Sequence, residues 1–337
     1  MDSSYNKKNI TLLFRNKNEG ISIQKVFNII IPILSESNSI ESYYMPNMGA
    51  KVKTVLQNLW HVLKNRENNR IYHITGAIHY LSFVLPPKRT ITTVHDLHML
   101  DIAESFSSIK RFIYHLLWCK SLSRNKYIVC ISEKTKQDLL KYSNIPEHKI
   151  KIIGDPIVNE YTYSPKQFNH DIPRILHIGT KDNKNLDRTI KALKGLNVHL
   201  RIIGKLTPDL EHLLITSRID YSNDYNISEE QIHKEYIDCD IVNFPSVYEG
   251  FGMPIIEAQA IGRVCLTSNL RPMNSVAGKG ALFIDPYNIE DMREGYINLI
   301  NDSSLRETII NFGLDNAKKY RAQKIAEEYD KLYQDII

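Results

Sequence analysis

Asp240-Ile-Val-Asn-Phe-Pro-Ser-Val-Tyr-Glu-Gly-Phe-Gly-Met-Pro-Ile-Ile-Glu257 is the stretch whose reading decides the fold. Residues 240–244 form a short apolar run that reads as a buried strand. Gly250 and Gly252 follow as a turn, and Pro254 stands where a helix begins, a position that suits proline. Strand, glycine turn and helix in that order aim backbone N–H groups and the positive end of a helix dipole at one spot. Gly250, Phe251 and Gly252 bring those amides close to an anion, and Glu249 and Glu257 bracket it with acceptors for hydroxyl groups. A phosphate flanked by hydroxyls describes a nucleotide sugar. Glu257 alone is explained by the preference for an acid at a helix start, but the whole string is not.

Working outward, the same alternation fills the chain. Residues 10–14, 71–74, 90–94, 127–131 and 149–153 read as strands, rich in β-branched and aromatic residues. Helical patterns lie at 21–34, 51–65, 106–120 and 133–142. A second series has strands at 174–178, 198–203, 240–244 and 264–267, helices at 186–196 and 254–261, and a charged helical end from 291. Alternation of this kind predicts parallel sheets covered by helices. The polar stretch 159–173, with two prolines, reads as a linker. The expected division is 1–163, 173–316 and a terminal helix over 317–337 that packs back on the first domain. Two Rossmann-like α/β domains with a cleft between them are expected, with ligands beyond the carboxyl ends of the strands.

The chain has 337 residues, enough for two ordinary domains. Its 42% hydrophobic and 24% charged content is that of a globular protein, and no apolar run approaches the roughly 18 residues of a membrane span. The first residues lack the apolar core of a secretory signal, and Cys119, Cys130, Cys239 and Cys265 form no C-x-x-C pair. A reducing, cytoplasmic setting is expected. Residues 1–168 hold 23 Lys and Arg against 13 Asp and Glu, whereas 169–337 hold 20 against 25. A basic half joined to an acidic half directs any large anionic partner, membrane or nucleic acid, to the first.

Glu249 to Glu257 resembles the E-x₇-E motif of the retaining family-four (group 1) glycosyltransferases, which have the GT-B fold. Ile178-Gly-Thr-Lys-Asp-Asn-Lys-Asn-Leu186, the run from Glu257 to Gly262 and that from Val276 to Pro286 are similar to the same family. In the first half, His73-Ile-Thr-Gly76, Thr93-Val-His-Asp-Leu97 and the run from Cys130 to Lys136 are similar to members that build surface polysaccharides. The resemblance implies two Rossmann-like domains facing across a cleft, and transfer from a nucleotide-sugar donor to a glycan or lipid-linked saccharide. It implies that Glu249 contacts the donor sugar, Glu257 the ribose and Lys184 the diphosphate, for which a point charge is also chemically apt. It further implies that His95 lines the sugar pocket, beside Glu249 as a catalytic residue, and that Gly20 lets backbone approach the donor or acceptor. Asn183 stands where many relatives carry arginine, with Lys181 as a substitute cation, and Gly20 is followed by Ile21 where relatives often have a second glycine. In the family the diphosphate itself takes the acceptor's proton, so no side-chain nucleophile is assigned. No cofactor beyond the donor co-substrate and no nucleic-acid partner is expected.

No metal site is assigned. Asp238-Cys-Asp240 spells a metal-binding D-x-D, but its place at a strand entrance favours a structural acid. His95, Asp96 and His98 alternate sides on an extended segment. Ile109, Phe112, Ile113, Leu116 and Leu117, with Lys110, Arg111, His115 and Lys120, make an amphipathic basic helix. Packing on the sheet is its favoured reading. Peripheral contact with an anionic membrane through the first domain stays open, as do two alternatives to transfer, a sugar-nucleotide epimerase and a non-catalytic sugar-nucleotide-binding subunit.

Overall fold

A computed structural model describes residues 7–49, 51–97 and 116–336. The chain divides into two compact units, Met1–Pro156 with Ala322–Ile337, and Ile157–Arg321. Each is built on a six-stranded, wholly parallel sheet, as the alternating pattern predicts.

Unit 1 contains β1 (Asn9–Phe14), β2 (Ser39–Tyr44), β3 (Ile71–Ile74), β4 (Thr90–Val94), β5 (Tyr127–Cys130) and β6 (Ile150–Ile152), in the order β2-β1-β3-β4-β5-β6. Its longer helices before the crossing are α1 (Ile21–Ser37), α2 (Val52–Asn65) and α3 (Glu133–Tyr142). The central strands β3 and β4 are buried at every residue, as strands covered on both faces must be.

Unit 2 contains β7 (Arg174–Ile178), β8 (His199–Ile203), β9 (Asp220–Asp224), β10 (Ile241–Phe244), β11 (Val264–Ser268) and β12 (Leu282–Ile284), in the order β12-β11-β10-β7-β8-β9. Its helices are α4 (Leu186–Leu193), α5 (Pro208–Thr216), α6 (Glu229–Asp238), α7 (Met253–Ile261), α8 (Met273–Ala277), α9 (Ile289–Asn301) and α10 (Ser303–Ala317). The chain then returns to unit 1 as α11 (Ala322–Gln334), which packs beside α1 and adds Ile325, Ala326, Tyr329 and Tyr333 to that unit's core.

In each sheet the chain runs outward from its first strand and then restarts on that strand's other side. The restart lies between β1 and β3 in unit 1 and between β7 and β10 in unit 2. Such a switch point opens a crevice at the carboxyl edge of the strands.

Three strands depart from the sequence reading. β2 and β9 lie at sheet edges, are largely half-buried or exposed, and lack the apolar run of a buried strand. β12 is only three residues long. The stretch 159–173 is no free linker. It lies on unit 2, where Asp240 accepts from Asn169 N (3.1 Å) and Arg174 N (2.8 Å) and pairs with Lys166, while Ser164 N donates to Ile261 O (3.1 Å). Asp240 is thereby occupied as a structural acid at the strand entrance, the role favoured for it over metal binding. The amphipathic helix expected over 106–120, and His98, lie outside the described residues except for its end, Leu116–Lys120. Among the described residues no helix is long and apolar enough to cross a membrane.

Candidate active site

The loops that leave β7 and β10 meet at the unit 2 switch point. After β7, Gly179 has φ 96°, and a Cβ there would come within 2.8 Å of Lys184 Cγ. Only glycine leaves room for the lysine stem to pass over the loop. A short 3₁₀ turn, Asp182–Lys184, leads to Asn185 at φ 62°, which caps α4. Asparagine tolerates this left-handed conformation. Its side chain donates to Pro245 O (3.1 Å) and Pro286 O (2.7 Å), tying the loop to the one after β10.

That second loop carries Glu249. Lys184 Nζ lies 2.6 Å from Glu249 Oε1, and both side chains are largely buried. Asn183 Nδ2 donates to the same oxygen (3.3 Å) and to Tyr248 O (2.9 Å), and Val247 N donates to Asn183 O (2.9 Å). The ammonium also sits 4.8 Å from the Phe244 ring centroid, a cation–π distance. The structure therefore brings together Lys184 and Glu249, which lie 65 residues apart. Lys181 is exposed on the same turn, and its carbonyl accepts from Lys184 N at 2.8 Å. The place beside Lys184 is filled by Asn183, which acts on Glu249 and adds no second cation.

Gly252, at φ 120°, caps α7, and Pro254 stands at the helix start as expected. Gly250 lies half-buried just before it. The Phe251 side chain is buried edge-on against Tyr320 (5.5 Å between centroids), so it anchors the turn and leaves only its backbone for a ligand. Glu257 falls one residue later in the helix than expected, because α7 starts at Met253, and its first turn holds no acid. The helix-dipole explanation of Glu257 loses force accordingly. Its Oε2 accepts from Tyr236 OH at 2.6 Å. Burial pushes its pKa up to about 7; the Tyr236 hydrogen bond opposes the rise and nearby Glu229 adds to it.

A buried polar layer lies beneath this turn. His177 on β7 is register partner to Asn243 on β10, and Asn243 Nδ2 lies 2.9 Å from His177 Nδ1. Asn243 also donates to Thr189 Oγ1 (3.1 Å) and accepts from Tyr296 OH (2.8 Å). Burial, with a contribution from the Lys184 charge, lowers the His177 pKa to about 3, so the ring is neutral.

His95 and Gly20 belong to unit 1. His95 follows β4; its Nε2 donates to Thr75 O at 2.9 Å and its Nδ1 faces Asp155 Oδ1 at 3.8 Å. Burial raises the Asp155 carboxyl above its ordinary range, against the pull of the imidazole. His95 borders a cavity of about 220 Å³ with Arg15, Gly76, His79 and Trp118. Gly20 caps α1 at φ 67°, on the loop that leaves β1. Asn183, Asn185 and Tyr236 support the site and were not chosen from sequence. Asn185 had a signal, an asparagine directly before an apolar helix, but nothing in the spacing links Tyr236 to Glu257.

Comparison with known proteins bears on the fold and the family. The chain is 23% identical across 279 residues to O-antigen chain mannosyltransferase B of Escherichia coli, covering 74% of this chain and 70% of that one. It is 26% identical across 278 residues to the capsular polysaccharide biosynthesis glycosyltransferase CapM of Staphylococcus aureus, covering 75% and 72%. Its fold is similar to sucrose-phosphate synthase from Thermosynechococcus elongatus (TM-score 0.75, 13% identity, 97% of this chain and 99% of that one). It is similar again to Anabaena HepE solved with UDP and glucose (TM-score 0.74, 13% identity, 97% and 100%). These likenesses identify the two-sheet architecture as the GT-B fold. Residues 163–315, nearly the whole of unit 2, match the family described as glycosyl transferases group 1.

Proposed function

We propose that the chain moves a sugar from a nucleotide-sugar donor to a glycan or lipid-linked saccharide acceptor in surface polysaccharide synthesis, retaining the anomeric configuration and using no metal. The observation that carries this reading is the Lys184–Glu249 pair at the carboxyl edge of β7 and β10, beside the glycine-capped start of α7. The names of the Escherichia coli and Staphylococcus aureus relatives support the pathway class.

Departure of a nucleoside diphosphate builds negative charge on its phosphate oxygens and positive charge at the anomeric carbon. Lys184 and the α7 amides stabilise the first as fixed, preorganised groups. Until phosphate arrives, Glu249 holds Lys184 in place; with donor bound, Glu249 accepts from sugar hydroxyls while Asn183 fixes its carboxylate. Glu257 accepts from ribose hydroxyls, oriented by Tyr236. The acceptor oxygen attacks the face the diphosphate leaves. The C–O bond to phosphate breaks, the C–O bond to acceptor forms, and the acceptor's proton passes to a phosphate oxygen. His95 is assigned to the sugar and Gly20 to close backbone approach. The protein works in the cytoplasm, touching the inner face of an anionic membrane through unit 1.

Melting curves with UDP-, GDP- and dTDP-sugars test the reading. A matching donor at about 100 times its Kd should stabilise the fold by roughly 2.7 kcal/mol. If no nucleotide sugar raises the midpoint, the donor assignment fails.

A further inference from the structure

Helix α2 presents apolar side chains on two faces. The inner face, with Val62 buried and Val55 and Leu59 partly buried, packs on Leu13, Met45 and Tyr72 of the unit 1 core. The outer face carries Val52, Leu56, Trp60 and Leu63, which are 76%, 59%, 64% and 46% exposed. At 3.6 residues per turn these four fall within about 80° of arc. Only thirteen large hydrophobic side chains are exposed among the described residues, so four on one helix is a concentration, and Met48 (52% exposed) lies just ahead of it. A groove of about 740 Å³ follows the stripe, lined by Pro46, Lys53, Leu56, Gln57, Trp60 and His61.

The charge on α2 and its flanking residues is of one sign; Glu19, whose Oε1 accepts from Gly49 N (3.0 Å), is paired with Arg15 at 3.4 Å. Lys51, Lys53, Lys64 and Arg66 are all exposed, and no Asp or Glu occurs between Glu41 and Glu67. Those two glutamates both pair with Arg70, at 2.9 and 3.6 Å. Lys53 and Lys64 fall along the outer edge of the stripe, and Lys64 Nζ lies 5.4 Å from the Trp60 ring centroid. An apolar strip with an indole in it and ammonium groups along its edge complements a surface that is apolar below and anionic at its rim. A second copy of the chain fits less well, because a two-fold contact through the stripe would set these cations against their own copies, with no acid on α2 itself to meet them.

We propose that α2 docks unit 1 on an anionic lipid bilayer, with Val52, Leu56, Trp60 and Leu63 entering the interface and Lys53 and Lys64 reaching the headgroups. The inference rests on the membrane contact proposed above for the class of partner, and it names a surface other than the 109–117 segment. The test is co-sedimentation of the full chain with phosphatidylcholine vesicles with and without phosphatidylglycerol. The chain should partition onto phosphatidylglycerol vesicles and be released by salt. The double variant Leu56→Ser/Trp60→Ser should partition at least about tenfold more weakly, and Lys53→Glu/Lys64→Glu should lose the preference for phosphatidylglycerol. Equal sedimentation of wild type and both variants, or no sedimentation of wild type with either vesicle, overturns the proposal. So does a wild-type dimer in light scattering that the double variant abolishes while vesicle binding persists. Donor-induced melting shifts, read on the same samples, report the glycosyl-transfer reading separately, because the substituted residues lie on unit 1 and the donor residues Lys184, Glu249 and Glu257 on unit 2.

Discussion

The two units share a sheet plan but fill its centre differently. Each sets a buried histidine on a strand beside its switch point, His73 on β3 and His177 on β7, and burial lowers both to about 3. In unit 1 the ring is closed off on both sides. Its Nδ1 lies 2.6 Å from Tyr333 OH and its Nε2 lies 2.8 Å from Thr93 Oγ1, which in turn is 3.1 Å from Tyr329 OH. Both tyrosines come from α11. In unit 2 the histidine touches Asn243 through one nitrogen, and the other is buried with no partner among the described residues. Above it stands the Lys184–Glu249 pair. The same topology thus supports a sealed polar core in one unit and a charged loop edge in the other. Chemistry is a property of the loops at the switch point rather than of the sheet.

The sharpest way to break this contrast is Glu249→Ala. Removing the partner of Lys184 that we assign to the sugar should lower transfer by about a hundredfold or more, while the fold survives with a lower melting midpoint because Lys184 loses its carboxylate. Near-normal turnover in that variant would remove unit 2's charged edge from catalysis.

A second test attacks the sealed side. Tyr333→Phe leaves a ring nitrogen of His73 without its partner inside the core, at a cost of about 1–3 kcal/mol. Trp60 and Trp118 are the only tryptophans and both belong to unit 1, so their fluorescence follows that unit. Unfolding read by tryptophan should move to lower denaturant while donor affinity stays the same. A loss of donor affinity with no change in unfolding would contradict the division of labour.

The smallest effect is a pH dependence confined to unit 2. Glu257 is raised to about 7 in the donor-free site, so its ionised form is scarce below that value. A carboxylate that accepts from ribose hydroxyls binds as the anion, and donor affinity should therefore rise with pH. Between about pH 6 and about pH 8 the gain approaches tenfold. The fold responds with the opposite sign: the raised pKa contributes stability that is lost as pH climbs from the ordinary glutamate value through about 7. Isothermal titration across that range checks the affinity, and a Glu257→Gln variant with the same slope would show that another group is responsible.

Much of this was legible in the chain. The strands β3, β4, β7 and β10 announced themselves because burial on both faces demands continuous β-branched or apolar residues. Edge strands escape such a reading, since Asp220-Tyr-Ser-Asn-Asp224 draws its place from hydrogen bonds to β8 and not from its side chains. Glu249, Glu257 and Lys184 were visible as residues with suitable chemistry near glycines. That Asn183 would hold Glu249 was not, because side-chain hydrogen bonds between loops depend on register that pattern alone leaves open. The grip of Asp240 on residues 166–174 likewise turned an apparent linker into part of a domain.

The return of α11 to unit 1 also sets an order for making the molecule. Unit 2 is one continuous segment, Ile157–Arg321, and can close as soon as it leaves the ribosome. Unit 1 begins first but lacks Ile325, Tyr329 and Tyr333, and with Tyr333 one partner of His73, until α11 is synthesised. The earlier-made sheet is thus the later one to be completed. A chain cut short before Ala322 would carry a finished unit 2 and an unsealed unit 1, exposing apolar surface that chaperones and proteases recognise.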